Sequence, residues 1–203
     1  MWNMDVIISK EKTDIQECDV LVIGFFQDER PLKGSSGWID WRFNGMLSHL
    51  LIENKLTGEW KETTLIPSQG RTVPKMVLLF GLGKVSEYSY LRIRQLFPYL
   101  LESLKKLNTP QICFSLPYGE EYNVDCGKLI EVLLEGIVDC LNLTPYSFSK
   151  EWIESLRLFF AEGEKPFLEI LLGVQTAKSL LENYLPIRIF TPSEETFETV
   201  PLG

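Results

Sequence analysis

The sequence predicts an α/β domain, a three-layer α/β/α sandwich around a mixed, mostly parallel sheet. Three observations predict it. Short runs rich in Val, Ile and Phe alternate with longer segments whose apolar residues recur at three- and four-residue steps. The short runs are apolar on both faces, as strands covered on both sides must be. With 203 residues, 45% of them apolar, the chain can bury one large core without stapling devices. We find no internal repeat and no low-complexity linker. One domain over residues 1–190 follows, with an acidic tail at 191–203 that is too polar to pack.

Residues 5–9 (DVIIS) and 19–26 (DVLVIGFF) read as the first two strands. Over residues 36–51, Ile39, Phe43, Met46, Leu47, Leu50 and Leu51 fall on one stripe, which predicts a single helix. Residues 63–66 form a strand leading into the Pro67–Gly70 turn, and 75–80 (KMVLLF) form the next. Ser89 caps a helix towards Leu107 with Ile93, Leu96, Phe97, Leu100, Leu101 and Leu104 inward. Pro98 is expected to kink that helix or to mark its true start. A strand at 111–116, a helix at 128–141 and a strand at 156–161 come next. A helix at 166–184, with Pro166 in its first turn, and a strand at 186–190 complete the series.

A net charge of −8 repels phosphate backbones and anionic lipid, so nucleic acid and membrane are disfavoured as partners. The nearest thing to a basic patch, Arg92 with Arg94 and Lys105 with Lys106, reads as solvated helix faces. Cys18, Cys113, Cys126 and Cys140 are isolated, and three lie in apolar runs, which points to a reducing, cytoplasmic compartment. Residues 1–14 lack the pattern of a signal peptide, and no apolar run reaches the ~18 residues of a membrane span.

No catalytic residue, metal ligand or cofactor is assigned. His49 is the only histidine and shares a polar helix face with Arg42 and Glu53. Without a second histidine or paired cysteines a zinc site has no ligands, and nothing selects a serine for a triad. The seven aspartates are scattered. Gly81-Leu82-Gly83 follows a strand as a dinucleotide loop would, but Ser86 replaces the third glycine, and a tight turn is the simpler reading.

Along nearly ninety residues the order of short motifs carries a resemblance. It comprises Asp19-Val20-Leu21-Val22-Ile23-Gly24, Leu32-Lys33-Gly34, Ile39-Asp40 and Gly45-Met46-Leu47-Ser48. Gly58, Thr63-Thr64-Leu65-Ile66-Pro67, Val77 to Lys84, Ser89 and Arg92 to Arg94 continue it. This pattern resembles the N-terminal domain of leucyl aminopeptidases, which is macro-domain-like. In that family, hydrolysis belongs to a C-terminal domain whose carboxylates and lysine hold two metal ions. The family's Asn-Thr-Asp-Ala-Glu-Gly-Arg string does not occur in this sequence. The resemblance therefore implies a non-catalytic interaction, assembly or regulatory module, with a protein partner or self-association.

The alternative is a module that binds ADP-ribose or a related nucleotide. Gly34-Ser35-Ser36-Gly37 stands between strand and helix, where free N–H groups hold anions. Ligand-binding macro domains use a glycine-rich loop there for a diphosphate, with a second loop after a later strand. Candidate ligand residues are thus Gly24, Gly34, Ser35, Ser36, Gly37, Ser115 and Gly119. Phe25 and Phe26 replace an asparagine-rich segment and are expected to fill the cleft, the alternative being to stack a base. Trp38, Trp41 and Trp60 are expected around the first helix. Trp38 and Trp41 share a side distinct from the apolar stripe, either as an interface or as a second buried side. A hydrolase acting from the cleft would need a general base that the sequence does not name.

Overall fold

In the computed structural model, which describes residues 3–143 and 148–192, the predicted strands form with small changes of boundary. They are β1 (Met4–Ile8), β2 (Val20–Phe25), β3 (Thr63–Pro67), β4 (Met76–Gly81), β5 (Gln111–Ser115), β6 (Arg157–Phe160) and β7 (Ile187–Phe190). They build one sheet in the order β3-β4-β2-β5-β6-β1-β7. Only the β3–β4 pair is antiparallel.

Side chains of the central strands alternate between two cores, as period-two geometry requires. Val20, Val22, Leu78, Phe80, Ile112 and Phe114 enter one cluster. Leu21, Ile23, Phe25, Val77, Leu79 and Cys113 enter the other. The larger cluster lies under three long helices, α3 (Tyr90–Leu107), α4 (Cys126–Leu143) and α6 (Phe167–Leu181). The smaller one lies under α1 (Gly34–Arg42) and α2 (Met46–Ile52). A short α5 (Lys150–Ser155), not foreseen from the sequence, starts where Ser149 accepts a hydrogen bond from the Trp152 N–H.

Two expectations about helices need correction. The stripe over residues 36–51 is two helices, because Asn44 (φ 56°) and Gly45 (φ 77°) are both left-handed and break the ladder. Asp40 then starts α2 afresh by accepting from the N–H groups of Leu47 (2.8 Å) and Ser48 (3.1 Å). Pro98 does not mark the start of α3, which runs through it from the Ser89 cap. Pro98 lies on the exposed side, while the six predicted inward residues are buried and hold the helix on both sides of it.

The long helices approach closely where they cross. A Cβ on Gly173 of α6 would stand 2.2 Å from the Gly127 carbonyl oxygen of α4. Glycines at this crossing let the two backbones touch. The predicted tail falls largely outside the described residues.

Candidate functional site

In parallel sheets ligands bind beyond the carboxyl ends of the strands. Here the ends of β2, β5 and β6 meet the start of α1 around a cavity of about 250 Å³. Its lining comprises Gly24, residues 33–36, residues 115–118, Glu121, Tyr122 and Glu162. Gly24 lines the cavity, and Leu82 and Leu116 pack against it: a Cβ there would lie 2.7 Å from Leu82 Cδ1 and 2.8 Å from Leu116 Cδ2. Gly34 has φ +54°, which turns the chain sharply into α1. The first N–H of this turn to find a backbone partner is that of Gly37, on the Lys33 carbonyl at 3.1 Å. The N–H groups of Gly34, Ser35 and Ser36 donate to no acceptor among the described residues.

A polar chain crosses the cavity. Ser115 Oγ lies 2.5 Å from Ser35 Oγ and is also bonded to the Glu162 carboxyl. Burial pushes Glu162 up from 4.5 to about 7, and the Ser115 bond only partly offsets this. No ion pair with Glu162 exists among the described residues. Lys33 does not serve it. Its ammonium lies 3.2 Å from Glu121 Oε2 and 3.5 Å from Glu29 Oε1, and those carboxylates, Glu121 foremost, raise its pKa. Below, the Tyr122 hydroxyl donates to Glu29 Oε1 at 2.9 Å, and burial together with that carboxylate raises the phenol.

Of the seven ligand candidates, Gly24, Gly34, Ser35, Ser36 and Ser115 converge on this cavity. Gly37 does not line it. A Cβ there would lie 2.5 Å from the Leu32 carbonyl, so its smallness serves packing. Gly119 (φ +120°) lines a neighbouring hollow of about 750 Å³ with Asp125, Lys165 and Glu169, joined to the first through Tyr118. Phe25 and Phe26 do not fill the cleft. They point to opposite sides of the sheet, Phe25 into the smaller core and Phe26 into the larger, stacked 5.3 Å from the Tyr122 ring.

Lys33, Tyr118, Glu121, Tyr122 and Glu162 were missed. For Glu162 a signal existed: it stands just past a predicted strand, where parallel sheets place ligand groups.

The second feature is the outer side of α1. Trp38 and Trp41 stack at 5.0 Å with 23° between planes, and Trp41 is 64% exposed. Between the two buried-side and interface readings of α1, the exposure decides for an open face. Arg42 lies 5.6 Å from both rings, and Lys12 lies 5.2 Å from Trp38. Arg42 is held from behind by buried Asp14, with Nη2 at 2.6 Å and Nε at 2.8 Å from Oδ2. Trp60 does not join this group. It packs against the larger core with Arg92 4.0 Å above its ring.

His49 is exposed, 3.5 Å from Glu53. Gly81 permits contact with Glu59, whose carbonyl would stand 2.0 Å from an added Cβ, and Gly83 has φ +74°. Arg94 bonds Glu135 and Asp139, and Lys106 pairs with Glu102. All four cysteines are buried, and none of them forms a disulfide. Among the described residues no three His, Cys, Asp or Glu side chains are grouped to hold a metal. No helix among them is long and apolar enough to cross a membrane.

A mixed, mostly parallel seven-stranded sheet between helical layers, with glycine-bearing loops at its carboxyl edge, defines a macrodomain-like α/β protein. Solved structures agree on the fold. A Trypanosoma brucei macrodomain in complex with ADP-ribose superposes with TM-score 0.60 at 16% identity, covering 81% of this chain and 67% of that one. A tomato leucine aminopeptidase mutant gives 0.62 at 18% identity, over 90% of this chain and 37% of that one. The chain belongs to the cytosol aminopeptidase family, whose N-terminal domain profile matches residues 22–140. A probable cytosol aminopeptidase of Sulfurihydrogenibium sp. is 25% identical over 147 residues, 72% of this chain and 28% of that protein. One from Nostoc punctiforme is 29% identical over 185 residues, 86% of this chain and 36% of that protein. The chain thus spans about a quarter to two fifths of the length of these relatives.

Proposed function

We propose that this chain is a non-catalytic interaction module that docks a protein partner on the Trp38–Trp41 face of α1. The observation that carries the reading is the exposed, stacked tryptophan pair bracketed by Arg42. Trp and Arg are the side chains that most often dominate protein interfaces, and rigid aromatics lose little entropy on docking. Cations outnumber acids on this face: Lys12 and Arg42 flank the rings and Arg71 lines the adjoining depression, against Asp40 in that depression and buried Asp14 behind Arg42. An acidic partner surface is the complement, and a second copy of the chain would bring these cations against one another. The family supports the reading by analogy only, since the matched region is the N-terminal domain of much longer aminopeptidases.

The nucleotide reading has support in the convergence of Gly34 to Ser36 with Ser115. It has less in the electrostatics. Glu121 and Glu162 line the cavity, whose one lysine is paired to Glu121 and Glu29, and a diphosphate there meets repulsion.

Affinity capture with the immobilised chain and its Trp38→Ala/Trp41→Ala variant tests the proposal, combined with sedimentation velocity. The expected result is an identified acidic partner retained by the wild type, released by salt and lost by the variant, with the free chain monomeric. Identical captures by both forms, or concentration-dependent self-association abolished by the variant, would overturn it.

A further inference from the structure

The cavity at the strand ends has two poles of opposite sign. At one, the start of α1 offers the N–H groups of Gly34, Ser35 and Ser36, which have no acceptor among the described residues, at the positive end of the helix dipole. At the other stands the Glu162 carboxyl, with a serine hydroxyl as its bonded neighbour and no cation paired to it. Ser35 and Ser115 bridge the poles, their oxygens 2.5 Å apart. The one lysine on the rim is taken up by Glu121 and Glu29. Glu162 lines the cavity half-buried and without a counter-charge, and this partial burial raises its carboxyl to about 7.

We propose that this cavity binds a small zwitterion of amino-acid type, its carboxylate on the Gly34–Ser36 N–H groups and its ammonium on Glu162. A molecule with one group of each sign satisfies both poles at once, and the serine hydroxyls lie along its path. The volume of about 250 Å³ agrees, being below the roughly 300–1,000 Å³ of pockets for drug-sized ligands. Ligands bearing only anionic groups leave Glu162 uncompensated, and those bearing only an ammonium leave the helix start unfilled. The site uses the start of α1 and the docking proposal the rings of Trp38 and Trp41, so the two rest on different residues and are tested by different variants.

Calorimetric titration of the purified chain with L-alanine and L-leucine tests it. N-acetyl-L-leucine, which lacks the ammonium, L-leucinamide, which lacks the carboxylate, and ADP-ribose serve as comparisons. The expected result is saturable heat with a free amino acid and binding at least about tenfold weaker for both blocked forms. Glu162→Gln should weaken binding by about tenfold or more while the variant melts no lower than the wild type at pH 7. Ser35→Ala, which leaves the Glu162 carboxyl in place, should weaken it by about threefold and supplies the test if the first variant does not fold. Absence of heat at ~10 mM amino acid overturns the proposal. So does equal binding of a blocked form, binding unchanged in Glu162→Gln, or ADP-ribose binding that excludes the amino acid.

Discussion

The face of the sheet under α3, α4 and α6 buries a continuous apolar cluster from Met4 to Ile187, whereas the face under α1 and α2 buries a much smaller one. The first face is built from helices of 18, 18 and 15 residues, and the second from helices of nine and seven. Short helices leave more of their termini unsatisfied per residue buried. On the second face those ends are met by side chains: Asp40 caps α2, Ser36 bonds back to Lys33, and Asp14 holds Arg42 under the tryptophans. The lesson is a division of labour. Long helices pack and stabilise, while the short, broken pair leaves open N–H groups and exposed rings where ligands and partners can use them.

The largest effect should come from the packed face. Gly173→Ala drives a methyl into the α4 backbone, and we expect a loss of ~3 kcal/mol in denaturant unfolding. A loss under ~1 kcal/mol would show that the helix crossing yields. On the thinner face, Asp14→Ala strips Arg42 of its buried partner and should cost ~2–3 kcal/mol, with the tryptophan fluorescence altered as the rings lose their support. An unchanged spectrum would show that the tryptophan pair holds itself.

Glu162→Gln sharpens the comparison through pH. Because the folded chain holds this carboxyl at about 7 against 4.5 ordinarily, the native state keeps a proton that the unfolded chain releases. Its stabilising effect is complete below pH 4.5 and is lost as pH rises through 7. The variant should therefore be more stable than the wild type by ~1–3 kcal/mol at pH 8 and about equal at pH 4.5. A difference that does not vary with pH would mean that the carboxyl is not desolvated. Asp40→Ala should cost ~1 kcal/mol through the lost cap of α2. Trp41→Ala, at a largely exposed ring, should change stability by under ~1 kcal/mol while removing the docking surface.

Much of the fold was legible in the sequence because it is written in short-range pattern. The six inward residues of α3 follow directly from their spacing, and the Ser89 cap from its chemistry. The exposure of His49 follows from Glu53 four residues on, while Arg42, its other expected neighbour, lies on the separate helix α1. Five of the seven ligand candidates were placed together because strand ends and the loops beyond them are recognisable from local composition. The break at Asn44-Gly45 was hidden, since the apolar stripe continues across it at helical steps.

The sequence by itself determined the family, the strands and long helices, and which faces of those elements turn inward. Periodicity encodes these, and each depends on residues within a few positions of one another. Only the tertiary structure decided that Glu162 stands beside Ser115 and Ser35, that Asp14 grips Arg42, and that Trp60 leaves the other two tryptophans for the opposite core. Those neighbours come from separate strands and loops, and their meeting depends on strand order in the sheet. No local pattern specifies that order, because it is set by how all the apolar faces are buried together.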